Sequence, residues 1–181
     1  AHWIFGANVY SVTNNIETGR SMVILITLVL FFLVLHYALI RFSMALSLVL
    51  ALIAALNPIG IMQIFSYYND GMIGNLLFIM VLPLTMLFDR KYTKFSWPHY
   101  TLIGMAMALV MNLKFTGLLY AAVFCFAYLA YAIFVKHQRR AIRPLLITGF
   151  VGVFVGVFLI GLSTYPKNFI EKGTPLYPLM G

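Results

Sequence analysis

The sequence predicts an all-α membrane protein, a polytopic transmembrane bundle of about six apolar helices that includes a short-helix hairpin. Three observations predict it. Hydrophobic residues make up 63% of the chain and charged ones 9%, with a mean hydropathy of +0.98, which leaves too few charges to coat a water-facing surface. Apolar runs follow one another from residue 22 to residue 162. The basic residues fall between these runs and close to their ends, as orientation signals do.

Residues 1–21 come first as an outer polar segment, rich in Asn and Thr. This segment lacks the basic start and apolar stretch of a cleavable signal peptide, so insertion is expected to rely on the spans themselves. With Ala1 rather than Met in first place, either processing or a piece of a longer chain is expected. The first apolar run is Met22 to Ile40, ending at Arg41, and the second runs from Met44 to about Phe65. Pro58, after Asn57, is expected to weaken or kink that second helix near its far end, because it removes a backbone donor. The third run is Met72 to Phe88, interrupted by Pro83 and closed by Asp89, Arg90 and Lys91.

The stretch from Thr101 to Val135 needs a division. As one helix it would be roughly 52 Å long at about 1.5 Å per residue, well beyond a hydrocarbon core of roughly 30 Å. Asn112-Leu113-Lys114-Phe115-Thr116-Gly117 carries two polar groups, a charge and a glycine, and is the natural turn of a two-helix hairpin whose first helix is short. A last run, Leu145 to Leu162, completes the bundle 22–162, and residues 163–181 form an outer polar loop or the start of a further region.

Charge supports the hairpin. With the turn at Arg41 inside, counting spans puts Arg41, Arg90, Lys91, Lys94, Lys136, Arg139, Arg140 and Arg143 inside, two thirds of the 12 basic residues. Arg20, Lys114, Lys167 and Lys172 fall outside. A single span from Thr101 to Val135 would leave one of the two flanking basic loops on the wrong side. Three of the four acidic residues, Glu17, Asp70 and Glu171, also fall outside.

Several function classes drop out. The net charge of +8 does not indicate nucleic acid, because the basic residues are not gathered on a solvated face with interleaved aromatics. The single cysteine, Cys125, excludes an internal disulfide or a cysteine-based metal cluster and reads as a small core residue. There is no glycine-rich phosphate loop, no paired histidine at metal spacing and no Gly-x-Ser-x-Gly elbow. His36 reads as a helix-contact histidine, Asn57 and Gln63 as helix-to-helix hydrogen-bonding groups, and Gly152 and Gly156 as a close-packing pair.

Chemistry is expected on the outer side, where polar segments converge. Lys114 stands out, because a lysine at membrane depth costs about 2.5–3.5 kcal/mol on insertion scales. It either snorkels to the interface or meets a phosphate. Asp70 follows Tyr67, Tyr68 and Asn69, all able to hydrogen-bond, and precedes Gly71. Its carboxylate suits an ordinary turn, receipt of a proton from an acceptor hydroxyl, a divalent cation, or a sugar hydroxyl. The segment from Lys167 to Pro178 mixes charge, a Gly-Thr-Pro bend and aromatic residues, as a headgroup-facing loop does.

Three strings read together resemble the GT-C superfamily of polytopic glycosyltransferases, which use polyprenyl-phosphate-linked sugars and include the protein mannosyltransferases and the aminoarabinose transferase type. They are Asn57-Pro58 through Gln63 to Gly71, Asn112 to Gly117, and Asn168 with Gly173 to Pro178. The Lys-aromatic-Thr-Gly turn after a short helix is the most specific. The resemblance implies a lipid-linked donor entering from the bilayer and a glycan, lipid or protein acceptor arriving on the outer face. It implies that Lys114 contacts the donor phosphate, while Asp70, Lys167, Glu171 and Tyr177 shape the acceptor and lipid-phosphate pocket. The family carries its catalytic carboxylate in a long outer loop after its first membrane helix, and no such helix precedes residue 22. That assigns the role to Glu17, to Asp70, or to sequence upstream of Ala1. The expected location is a bacterial inner or plasma membrane. Two other classes fit the same composition: a transporter or flippase for lipid-linked saccharides, and a non-catalytic subunit of a membrane assembly.

Overall fold

The computed structural model describes residues 2–15, 21–64, 70–87, 97–135, 139–160 and 165–174. Among these the chain is helical, with no strand. In order the helices are α1 (His2–Thr13), α2 (Ser21–Leu39), α3 (Met44–Ala55), α4 (Pro58–Ile64), α5 (Asp70–Leu87), α6 (Trp97–Met111), α7 (Phe115–Ala130), α8 (Arg139–Phe154) and α9 (Tyr165–Lys172). Two π-helical segments extend α7 and α8, at Tyr131–Val135 and Val155–Ile160. The chain divides into two compact units, His2–Leu82 and Pro83–Gly181.

Among the described residues, three helical stretches are long and apolar enough to cross a membrane: Ser21–Leu39, Thr116–Phe134 and Ile142–Ile160. Only 33% of the first and 17% of each of the others is buried, so most of their apolar surface faces outward. Phe32, Ile53, Phe126 and Phe150 are each more than half exposed. Patches of this extent belong in hydrocarbon, not water. The chain is a membrane protein. Met44–Ala55 and Asp70–Met86 are apolar but shorter.

In the first unit, α2 and α3 pack as a hairpin closed by Arg41 and Phe42, whose N–H groups both donate to the Ala38 carbonyl at 2.9 and 2.8 Å. Helix α2 buries Val23, Ile26, Leu30, Val34 and Ala38, three or four residues apart and so on one face. Helix α3 meets it with the small stripe Ser47, Ala51 and Ala55, which lets the two backbones approach. The Arg41 guanidinium stacks over the Tyr37 ring at 5.2 Å.

The second apolar run is broken, not merely kinked. Helix α3 ends at Ala55 with Leu56 as its C-cap, and α4 starts at Pro58, a position where a missing N–H costs nothing. Asn57 Oδ1 caps the new helix by accepting from the Gly60 N–H at 2.7 Å. Its amide also donates to Asn75 Oδ1 at 3.5 Å, and the Asn75 amide donates to Thr27 Oγ1 at 3.2 Å. These side chains tie α2, the α3–α4 break and α5 together by hydrogen bonds inside an apolar setting, where an unmet polar group would be costly. Pro83, by contrast, sits within α5 without ending it. The polar stretch at 2–13 also folds as a helix, as does 165–172 in the tail.

In the second unit, α6 and α8 run parallel and very close. A Cβ on Gly152 would lie 3.1 Å from the Gly104 carbonyl, and one on Gly156 would lie 3.3 Å from Ala108 Cα. The small residues Gly104 and Ala108 on α6 therefore face Gly152 and Gly156, the pairing expected from their spacing.

Candidate functional site

The hairpin turn is present. Helix α6 ends at Met111 and α7 begins at Phe115, with the N–H groups of Asn112 and Leu113 donating back to Leu109 and Val110 at 3.0 and 3.3 Å. The helices then run antiparallel, and Gly117 lies against Val110, where a Cβ would meet the carbonyl oxygen at 2.5 Å. Only glycine permits that approach.

Two side chains, one in the turn and one from α9, hold it. Asn112 donates from Nδ2 to the Ala108 carbonyl at 2.8 Å and to the Gly156 carbonyl at 2.7 Å, the latter in the π-helical end of α8. Tyr165, at the start of α9, donates its hydroxyl to the Met111 carbonyl at 2.6 Å. Carbonyls at a helix end lack intrahelical partners, so these bonds serve groups that would otherwise need water. Burial pushes the Tyr165 phenol above its ordinary value near 10.

Lys114 sits on this clamped turn as the N-cap of α7, extended at φ −154° and ψ 152°, with its side chain exposed and making no capping bond. Its carbonyl accepts from the Gly117 N–H at 2.9 Å. The N-terminus of a 16-residue helix carries unpaired amides and a partial positive charge. A lysine there adds positive to positive, and the combination favours an anion.

Lys167 and Glu171 form an ion pair at 3.8 Å on α9, more than half exposed and therefore worth little to stability. Phe169 and Ile170 on the same short helix are 60% and 81% exposed beside these charges, the character of a helix lying at a headgroup boundary. Asp70 is exposed in the first turn of α5, where a carboxylate complements the helix dipole. It belongs to the first unit, whereas Lys114, Lys167 and Glu171 belong to the second. Glu17, Tyr68, Asn69 and Tyr177 lie outside the described residues, as does the side chain of Gln63.

No protein-family model matches this sequence, and no curated protein or solved structure matches it.

Among the described residues, no three of His, Cys, Asp and Glu gather as a metal-binding group. Sequence reasoning missed Tyr165 as the anchor joining α9 to α6, and Asn75 as the buried centre of the polar cluster. Asn75 had a signal: it is an amide in the middle of an apolar run. Tyr165 had none, since its partner is a backbone carbonyl distant in sequence.

Proposed function

We propose that this protein is a polytopic membrane glycosyltransferase of the GT-C type, carrying a sugar from a polyprenyl-phosphate donor to an acceptor on the extracytoplasmic face. Its bundle crosses a bacterial inner membrane about six times, with the shorter helices α3–α4, α5 and α6 completing the spans. The observation that carries the reading is Lys114, held on a rigid turn at the positive end of α7. A phosphate answers both charges at once.

In the proposed reaction the acceptor hydroxyl oxygen attacks the anomeric carbon and the bond to the donor phosphate oxygen breaks. The hydroxyl proton passes to a carboxylate. Lys114 and the first amides of α7 meet the charge that grows on the departing phosphate. The exposed apolar residues of α9, beside its charges, suit a segment against which a lipid-linked donor slides.

The test is Lys114→Met, assayed for transfer from a polyprenyl-phosphate sugar. Loss of one such donor group lowers turnover by about 10²–10³. Thermal unfolding of the variant, measured beside turnover, separates a loss of transfer from a loss of fold. Normal turnover in a folded Lys114→Met protein removes the proposal.

A further inference from the structure

The second unit has a feature far from the Lys114 turn. An apolar groove of about 270 Å³ lies among α6, α7 and α8, lined by Ile103, Met107, Cys125, Leu129, Gly149 and Phe150, among others. Phe126 and Phe150 at its rim are 71% and 73% exposed, so the groove opens outward. Gly149, in its lining, has nothing within 4 Å of where a Cβ would stand. A space so apolar offers water almost no partners, and its mouth lies within the membrane-crossing stretches Thr116–Phe134 and Ile142–Ile160. Hydrocarbon fits it.

One end of the groove is charged. Arg143, exposed, stands at the start of the Ile142–Ile160 span, three residues before Leu146 and seven before Phe150, both of which line the groove. Residues at that spacing share a helix face, so Arg143 continues the groove toward the headgroup level. The sequence sets Lys136, Arg139 and Arg140 just before it, the basic loop assigned to the inner side. An acyl chain needs the apolar length, and a negatively charged headgroup needs the arginine.

We infer that this groove binds an anionic phospholipid of the inner leaflet, with one acyl chain along α8 and the headgroup phosphate at Arg143. The inference is independent of the glycosyltransferase reading, which concerns the other face.

The protein reconstituted in phosphatidylcholine vesicles, with spin-labelled phosphatidylglycerol or phosphatidylcholine as the probe, reports motionally restricted lipid by electron paramagnetic resonance. The expected preference for phosphatidylglycerol is about fivefold, what one basic residue near the surface supplies. Arg143→Gln brings the preference close to one while the number of restricted chains holds. Gly149→Phe, whose ring enters the open space beside it, removes restricted chains of both lipids. Alkylation of the single thiol, Cys125, by a membrane-permeant maleimide gives a second reading on the folded parent. It is slower in phosphatidylglycerol than in phosphatidylcholine when the groove is filled. Equal restriction of the two lipids by the parent, a preference that survives Arg143→Gln, restricted chains unchanged by Gly149→Phe, or alkylation indifferent to lipid overturns the inference.

Discussion

Replacing Gly117 by alanine forces a methyl group against the backbone of α6. Its Cβ would sit 2.5 Å from the Val110 carbonyl oxygen, 3.2 Å from Val110 Cγ2 and 3.3 Å from the Val110 carbonyl carbon. The first and last are backbone atoms of α6 and cannot swing aside. Ordinary contact starts at 3.4 Å, so α6 and α7 must part by about 0.9 Å at this level. Overpacking of this kind costs about 1–3 kcal/mol, against which alanine regains about 1 kcal/mol of helix propensity. The net is a loss of up to about 2 kcal/mol. Gly149→Ala is the matched control: its Cβ meets nothing, so propensity acts alone and the variant gains stability. Thermal unfolding of the three proteins in one detergent measures the order, Gly149→Ala above the parent and the parent above Gly117→Ala. A Gly117→Ala protein as stable as Gly149→Ala would refute the close approach and the hairpin geometry built on it.

Three further outcomes follow from other contacts. Ser47 is fully buried and its hydroxyl finds no partner, so Ser47→Ala leaves stability unchanged or raises it by up to about 1 kcal/mol in detergent unfolding; a clear loss would reveal a missed bond. Asn112→Ala releases the Ala108 and Gly156 carbonyls, costs about 1–2 kcal/mol and speeds protease cleavage at residues 112–114, whereas an unchanged cleavage rate would show that the clamp is dispensable. Tyr165→Phe loses the bond to Met111, about 1 kcal/mol. Because burial raises the Tyr165 phenol above 10, the parent's advantage over Tyr165→Phe is complete below pH 10 and shrinks as pH rises through the folded value; an advantage that grew with alkalinity would reverse the sign.

What could be read from the sequence was whatever has a local cause. The turn at 112–117 is forced by the excess length of the apolar stretch around it, and the structure reverses there. The Gly152 and Gly156 spacing announces close packing, which Gly104 and Ala108 complete. The break at Asn57-Pro58 was visible as a weakness but not as a full stop, because the end of α3 also depends on Asn57 reaching Asn75 across the fold. Pro83 pointed the other way: a helix enclosed by apolar neighbours keeps going through a proline that would end it in water. Of the candidate site, Lys114 was legible because charge in an apolar setting is conspicuous. The bond from Tyr165 to Met111 was not, since nothing local marks a hydroxyl that will find a carbonyl 54 positions away.

The π-helical stretch at Val155–Ile160 holds about one residue more than plain α-helical winding needs for the same rotation. Each residue of an α-helix turns the chain by about 100°. A π-helical turn takes up roughly one residue more than an α-helical one, so deleting a single residue here and returning to plain α-helical winding keeps the downstream chain on nearly the same bearing. A second deletion, with no extra residue left to absorb it, turns α9 away by about 100° and takes the Tyr165 hydroxyl off its carbonyl.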